Sequence, residues 1–478
     1  MMKRSIATAV FAFMPALALA AAPLSAVEIT AAVAAHIDAG LQAAAGSTKG
    51  LTPAISVAVV EDGRVAYARA FGIADVSAKT PATPQTRFRI ASVTKMVTAV
   101  AVMQLVETRR VRLDEKVAAY IPNVPHAREI TVRQLLSHTS GLWNYGDEAI
   151  TSGRVAIPTS PYAILASVSQ RPLEAKPGTT FGYSNTGYVM LGLVVEAVTR
   201  RTLAQYEREH IFVPARMSST TVGDPPAGTP VARGYTDATG DVPAPYSPSW
   251  FYADGDVVST ATDVARFDIA LMNGRLVKPA TFAEMQSASV AAPGMGQGVR
   301  YGLGLTLIPS AGVTLVGHHG GVPGFAAENE MLPAQRYAIV VLSNASDFLT
   351  FRANNVVVQN TLPSLYAELL KATPAPAGPE DPAVTAKLRI LLGDLRRGTV
   401  EPETLSEAMK AALTPQALSA IRAQFEPLGV LQSLTFRGKE SGQGITSYHY
   451  SAAFGGGQTV PLTIALDKDG KIAGFFGA

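Results

Sequence analysis

Ser92 and Lys95 are the first residues of the chain whose types and spacing could do chemistry. Ser92 stands at the start of an apolar run, and Lys95 follows three residues later. In a helix, positions i and i+3 share a face, so the amine would lie beside the hydroxyl. An adjacent base can make a serine nucleophilic, and the free N–H groups at a helix start favour developing negative charge. An N-cap serine followed by a solvated lysine fits the pair equally well, although an unpaired ammonium among apolar residues would be costly.

A second candidate is the run Tyr183-Ser184-Asn185, which follows a turn at 176–180 and precedes another apolar segment. A tyrosine held near a lysine can pass a proton between nucleophile and leaving group, provided that positive charge lowers its pKa from ~10. The Asn185 side chain can both donate to and accept from a substrate amide. The alternative is structural, with Tyr183 in the core and its neighbours capping a helix.

The third candidate is the pair His318-His319, followed by Gly320 and Gly321. Glycines let a backbone approach a substrate closely, which suits an oxyanion site. Adjacent histidines could instead bind a metal. No Asp or Glu with ligand spacing accompanies them, and adjacent strand side chains point to opposite faces. We therefore expect neither a metal nor a cofactor.

The segments around these residues predict the elements that position them. The segment after Ser92 is apolar nearly all round, which is typical of a buried helix. A β-hairpin with an Asp-Gly turn is predicted over 54–70, and strands are predicted over 303–307, 314–317 and 337–343. Since the early hairpin and the late strands each need a sheet, we expect one antiparallel sheet in which the first and last strands are neighbours.

Composition predicts how the 478 residues are divided. A basic start, a short apolar stretch and an Ala-x-Ala site predict a signal peptide over 1–20, cleaved near Ala20/Ala21, in preference to a membrane anchor. A large domain is predicted over 28–370, a Pro/Ala-rich linker over 371–382, and a small α+β domain of unknown role over 383–478. The mature protein is expected in the periplasm or outside a bacterial cell.

Charge and residue usage exclude several classes of protein. The formal net charge is +3, and two positive residues lie in the predicted leader, so nothing indicates a nucleic-acid partner. The chain has no cysteine, which excludes disulfides and thiolate catalysis. No later segment has ~18 uninterrupted apolar residues, so no integral membrane segment is expected after signal cleavage. The oligomeric state stays open.

The three motifs occur in the order found in the serine β-lactamase and penicillin-binding protein superfamily: Ser-x-x-Lys, Tyr-x-Asn, then Lys-Thr-Gly or its variants. The stretches 135–142 (Leu-Leu-Ser-His-Thr-Ser-Gly-Leu) and 258–267 also resemble the class C β-lactamase-related branch. The resemblance covers about 29–370. It implies an α/β (α+β) serine β-lactamase-like fold, with an antiparallel sheet flanked by helices plus a helical subdomain, followed by the small C-terminal α+β domain.

The resemblance also implies an acyl-enzyme mechanism. Ser92 would attack a carbonyl, and Lys95 and Tyr183 would share the proton transfers. The oxyanion would lie between the backbone N–H groups of Ser92 and Gly321. The substrate-binding residues implied in this way are Asn185, His318, His319, Gly320 and Gly321.

His318 stands where the antibiotic-hydrolysing class C enzymes have the lysine of the third motif, and His319 takes the threonine position. An imidazole is only partly charged near neutral pH, so its hold on a substrate carboxylate is weaker. The His-x-Gly form is typical of relatives that act as esterases or D-amino-acid peptidases. We expect a secreted serine hydrolase acting on a small ester, amide or D-amino-acid peptide, with a β-lactamase or a DD-peptidase as the alternative.

Two rival interpretations differ in class. A catalytically dead sensor would use the same cleft for binding, but such proteins usually lose the serine, lysine or tyrosine. A hydrolase of the Gly-x-Ser-x-Gly type would need a second glycine that the nearest run, 182–186, lacks. Within the hydrolase hypothesis, substrate choice is expected to depend on the loop 225–248 and on the rim 250–256.

Overall fold

The computed structural model describes residues 29, 34–35, 37–38, 54–236, 242–296, 298–310, 313–345, 380–425, 428–442, 445–455 and 459–477. The predicted signal peptide at 1–20 and most of the predicted linker at 371–382 lie outside these residues. Among the residues described, no helix has both the length and the apolar character needed to span a bilayer.

Strands β1 (Ile55–Glu61) and β2 (Arg64–Phe71) form the predicted hairpin. Asp62 and Gly63 have φ of 46° and 71°, the left-handed pair that a tight hairpin turn requires. The other strands of this part of the chain are β3 (Ile73–Asp75), β4 (Thr80–Pro81), β5 (Phe88–Arg89), β6 (Thr221–Val222), β7 (Val257–Ser259), β8 (Val290–Ala291), β9 (Arg300–Tyr301), β10 (Thr306–Ser310), β11 (Val313–Val322), β12 (Phe325–Leu332) and β13 (Tyr337–Ser343).

Eight of these strands form one antiparallel sheet in the order β2-β1-β13-β12-β11-β10-β9-β8. The prediction that the first and last strands are neighbours is confirmed, since β1 pairs with β13 along its length. Two strand predictions need correction. The strand placed at 303–307 lies at Thr306–Ser310, because Gly304 turns with φ of 81° where a Cβ would lie 2.3 Å from Ala99. The strand β12 was not predicted, because polar residues at 328–330 interrupt its apolar pattern.

The predicted buried helix is α1 (Thr94–Glu107), and 11 of its 14 residues are buried, so it has no solvent face. It packs against α5 (Asn185–Thr199), while α8 (Ala261–Met272) packs on β1 and β13. The other helices of this part of the chain are α2 (Val132–Leu136), α3 (Tyr145–Thr151), α4 (Pro161–Ser167), α5 (Asn185–Thr199), α6 (Leu203–Glu207), α7 (Tyr252–Gly255), α8 (Ala261–Met272) and α9 (Pro279–Ser287).

The residues after 380 form the expected small α+β arrangement. Asp381 caps the first helix by accepting from the N–H of Ala383 at 3.0 Å, as its position before Pro382 predicts. Leu388, Leu392 and neighbouring apolar residues pack against the sheet. The elements are α10 (Pro382–Arg397), α11 (Glu407–Ala412) and α12 (Pro415–Phe425), with an antiparallel sheet of β14 (Leu431–Gly442), β15 (Ile445–Phe454), β16 (Thr459–Asp467) and β17 (Ile472–Gly477).

Candidate active site

Ser92 lies in a 3-10 turn that leads directly into α1, so it stands at the start of the central helix as predicted. Ala91, the residue before it, has φ of 48°, a left-handed conformation that residues with a Cβ rarely adopt. Strain of this kind persists only where the surroundings hold it. Here the carbonyl of Val257 accepts from the N–H of Ile90 at 3.0 Å and braces the turn.

Lys95 is fully buried, and its Nζ lies 3.0 Å from Ser92 Oγ. The same Nζ donates to Asn185 Oδ1 at 2.7 Å and to the backbone carbonyl of Asp254 at 2.9 Å. Burial lowers the pKa of Lys95 to about 8, although the Asp254 carboxyl acts in the other direction. About a tenth of the molecules therefore carry a neutral Lys95 at pH 7, and that form can take the proton of Ser92.

Asn185 is the first residue of α5, and its backbone N–H donates to Asn144 Oδ1 at 3.0 Å. Because its side-chain oxygen already accepts from Lys95, the amide nitrogen is the part left for a ligand. That nitrogen borders Gly146, where a Cβ would lie only 2.7 Å away. The structure thus brings Ser92, Lys95 and Asn185 together.

Tyr183 lies beside them, with its ring centroid 5.0 Å from Lys95 Nζ. The expectation that positive charge lowers its pKa is wrong. Burial raises the pKa of Tyr183 well above 10, and a hydrogen bond with Ser92 only partly opposes this. Desolvation dominates because burial disfavours the charged phenolate by more than the Ser92 hydrogen bond favours it. Tyr183 therefore stays protonated near neutral pH and is suited to donating a proton.

His138 supports Tyr183 from behind, and the sequence singled it out only within the stretch 135–142. Its ring lies 4.2 Å from the Tyr183 ring, centroid to centroid. Its Nδ1 accepts from the N–H of Ser184 at 3.2 Å, which fixes the backbone on the far side of Tyr183. Burial, with a smaller contribution from Lys95, holds the pKa of His138 well below 6.5, so the ring is neutral.

His318 is buried on the face of β11 that is turned toward Tyr183. Its Nδ1 lies 2.6 Å from the carbonyl of His319, which can only accept, so Nδ1 carries the proton. Nε2 then accepts from the hydroxyl of Tyr301 at 2.9 Å. Burial and the charge of Lys95 lower the pKa of His318 to about 3. The position that holds a lysine in the antibiotic-hydrolysing branch is therefore uncharged here.

His319 points the other way, and the structure does not bring its side chain to Ser92. Its Nε2 lies 2.7 Å from Glu330 Oε1 and 3.2 Å from Glu328 Oε2, both on β12. Burial acts to lower the pKa of His319, but Glu328 and Glu330 outweigh it and raise that pKa to about 9. The acidic partners thought to be missing lie on the neighbouring strand, which the sequence did not reveal.

Gly320 and Gly321 carry β11 past the nucleophile. A Cβ on Gly320 would lie 2.3 Å from the carbonyl of Ile90 and 3.0 Å from the N–H nitrogen of Ser92, so only glycine lets the strand lie this close. Gly321 lines a cavity together with Ser92. The pairing of their backbone N–H groups in an oxyanion hole stays a prediction.

The cavity beside Ser92 has a volume of about 50 Å³. The rim predicted at 250–256 supplies part of its wall, whereas no lining residue among those described comes from the loop 225–248. That loop acts indirectly, because the Tyr246 ring packs edge-on against Phe251 at 5.4 Å. The lining residues are Ser92, Tyr145, Gly146, Ile150, Asn185, Phe251, Asp254, Gly255, Gly321 and Val322.

Asp254 is a candidate functional residue that the sequence analysis included only as part of the rim 250–256. Its side chain is buried, and its Oδ2 accepts from the hydroxyl of Tyr145 at 2.7 Å. Burial raises the pKa of Asp254 to about 7, against the opposing effects of Lys95 and Tyr145. Asp254 lines the cavity beside Ser92, and a carboxyl group with a pKa perturbed in this way is typical of functional sites.

The family model described as Beta-lactamase matches residues 33–361. The chain is 27% identical over 307 residues to the putative penicillin-binding protein PbpX of Bacillus subtilis, covering 63% of this chain and 73% of that one. It is 30% identical over 303 residues to a D-aminopeptidase of Brucella anthropi, covering 60% of this chain and 55% of the relative. The crystal structure of a D-amino acid amidase from Ochrobactrum anthropi, complexed with L-phenylalanine amide, matches with a TM-score of 0.61 at 28% identity, over 69% of this chain and 98% of that one.

Proposed function

We propose, from the premise that this chain belongs to the Beta-lactamase family and is a serine hydrolase, that it hydrolyses small amides and esters of D-amino acids through an acyl intermediate on Ser92. The observation that carries the proposal is the 3.0 Å contact between Ser92 Oγ and a fully buried Lys95 whose pKa is about 8. The names of the D-aminopeptidase and D-amino acid amidase relatives support the substrate class.

The chemistry follows from the protonation states. Neutral Lys95 takes the proton as Ser92 Oγ attacks the substrate carbonyl, and the N–H groups of Ser92 and Gly321 bind the resulting oxyanion. Protonated Tyr183 delivers a proton to the leaving amine or alcohol. Water then attacks the acyl-serine: the Tyr183 oxygen takes a proton from that water, and Lys95 returns its proton to Ser92 Oγ as the acid product leaves.

Two features of the site favour substrates with a free amine over substrates with a carboxylate. His318 is neutral, so the cavity lacks the cation that would hold the carboxylate of a β-lactam or of a C-terminal D-alanine. Asp254 lines the cavity and carries the carboxyl group that would bind the substrate ammonium group. A desolvated pair of this kind is worth more than ~1.4 kcal/mol, or about tenfold in affinity.

The test is a paired turnover assay. With D-phenylalanine amide and its N-acetyl derivative, we expect kcat/KM to favour the free amine by about tenfold or more. Asp254→Asn should abolish that preference, whereas Asp114→Asn, at an exposed carboxylate paired with Arg133, should keep it. Equal kcat/KM for both substrates would contradict the proposed specificity.

Labelling with a fluorophosphonate tests the acyl-enzyme independently of substrate choice. Mass spectrometry should place the adduct on Ser92 in the folded protein. An adduct on another residue, or none, would contradict the nucleophile. Turnover of nitrocefin above that of the free-amine substrate would instead favour the β-lactamase alternative.

We further propose that the chain is exported after cleavage of residues 1–20. The support is the basic start, the short apolar stretch and the Ala-x-Ala site. In a periplasmic extract of a bacterial host, the mature protein should begin at Ala21. Recovery of the full-length chain only from the cytoplasm would contradict export.

A further inference from the structure

We propose that His319, Glu328 and Glu330, here called the outer cluster, form a binding site for a divalent transition-metal ion such as Zn²⁺. The site is separate from the serine-hydrolase chemistry and does not depend on it. It lies on the other face of the strand that carries His318.

The placement follows from strand register. His319 of β11 stands directly opposite Glu328 of β12, and Glu330 lies two residues further along β12 on the same face. The apolar neighbours on this face, Leu315 and Ala326, belong to the small core that also contains residues of β1. Residues of β11 that point the other way pack in the main core with α1. The outer cluster is thus on the side of the sheet opposite Ser92.

The separations between the ligand atoms are already close to those expected around a bound ion. Nε2 of His319 lies 2.7 Å from Glu330 Oε1 and 3.2 Å from Glu328 Oε2, and one ligand atom from each residue lies within 4.8 Å of the others. Around a tetrahedral Zn²⁺ with bonds of ~2.0–2.2 Å, neighbouring ligand atoms are ~3.3–3.5 Å apart. A small outward movement of the two carboxylates would therefore admit the ion.

In the described part of the chain, a buried carboxylate oxygen of the outer cluster has no hydrogen-bond partner, and a cation would bind it. The Glu330 side chain is 3% exposed, and among the described residues its only partner is His319. Its second oxygen, Oε2, is buried and has no hydrogen-bond partner in the described part of the chain. Buried carboxylate oxygens without donors call for an unseen ion or water, and two carboxylates outnumber one imidazole.

The donor set and its access also fit. One imidazole nitrogen and two carboxylate oxygens are ligands that zinc accepts, with a fourth position left for water. The His319 side chain is 37% exposed, so the outer cluster borders solvent. A bound ion would join β11 to β12 across the cluster.

The experiment uses the full chain without a histidine tag, stripped with EDTA and dialysed against Zn²⁺. Elemental analysis should find one Zn²⁺ per chain. Glu330→Gln and His319→Gln should weaken binding by at least about 100-fold, since the loss of a residue that only orients a metal ligand already costs about 10–100-fold. Glu129→Gln is the matched control, because in the described part of the chain Glu129 is the one carboxylate paired with His126, and this variant should bind Zn²⁺ normally. Ser92→Ala should also bind normally.

Co²⁺ absorption of the wild-type protein decides the matter if the variants do not fold. Intense visible bands from a four- or five-coordinate ion are expected, and Zn²⁺ should remove them by competition. The spectrum of hydrated Co²⁺, no retained Zn²⁺, or Zn²⁺ binding unchanged in a folded Glu330→Gln variant would each overturn the proposal and leave the outer cluster an ion pair only.

Discussion

His318 and His319 are adjacent on β11, yet the two faces of that strand give them opposite properties. His318 is buried beside Lys95, and desolvation together with that positive charge lowers its pKa to about 3. His319 is partly exposed beside two carboxylates, which raise its pKa to about 9. Alternation of side chains along a strand is enough to separate a neutral imidazole from a charged one within two residues.

The contrast gives the two faces of β11 different electrostatic environments. The face toward Ser92 lowers the pKa of its bases, because burial disfavours every charge and the charge of Lys95 disfavours further cations. The opposite face concentrates negative charge and would favour any cation that reaches it. A histidine in the third motif therefore does not by itself indicate the charge offered to a substrate.

Ser92→Ala should have the largest effect. That effect should be confined to the face of the sheet that carries His318, here called the inner face. We expect kcat to fall by about 10⁴-fold or more, since no other group can form the acyl intermediate. The outer cluster should keep its pKa values. Turnover of D-phenylalanine amide measures the loss, and Ser169→Ala, at an exposed helix end, is the control. Residual activity within tenfold of wild type would remove Ser92 from the mechanism.

The pH profile of kcat/KM tests the neutral base on the inner face. Lys95 acts in its deprotonated form and its pKa is lowered to about 8, so activity should rise about tenfold per pH unit from pH 6 and level off near pH 8. Ionisation of Asp254 near pH 7 would steepen the rise for amine substrates. Stopped assays over pH 5.5–9.5 would show it. Activity that falls between pH 6 and 8 would mean that protonated Lys95 is the active form.

His318→Lys would place a positive charge on the inner face. A cation placed there should speed acylation of Ser92 by a fluorescent penicillin by about tenfold, because ~1.4 kcal/mol of attraction for the penicillin carboxylate survives the cost of burial. His318→Gln, which adds no charge, is the matched control. If both variants react at the same rate, charge at this position does not select against β-lactams.

The smallest effect is a titration difference that NMR can observe in metal-free protein. The His319 signals should report a charged imidazole at pH 7 and titrate near pH 9, while His318 should show no titration between pH 5 and 8. The folded pKa of His319 lies above its unfolded value of ~6.5. Charged His319 therefore stabilises the fold fully below pH ~6.5, and this contribution is lost as the pH rises through about 9. His319→Gln and His318→Gln assign the signals. If both histidines titrate together near pH 6.5, the two faces of β11 do not separate their pKa values.

The sequence by itself determined the parts of this protein that depend on local pattern. An Asp-Gly turn between two short runs predicted the β1–β2 hairpin, an all-apolar segment predicted α1, and the Asp381 cap predicted α10. The order of the motifs at 92–95, 183–185 and 318–321 indicated a serine hydrolase, because residue types and their order survive without coordinates.

Only the tertiary structure decided which groups meet and which of them carry charge. Glu328 and Glu330 lie beside His319 because of the register between β11 and β12. The sequence did not predict β12, because its polar residues at 328–330 interrupt the apolar pattern of a strand. Asp254 meets Lys95 across 159 residues of sequence. The pKa of Tyr183 rises instead of falling, because a pKa depends on desolvation and on distances to charges, and neither quantity is written in the order of residues along a chain.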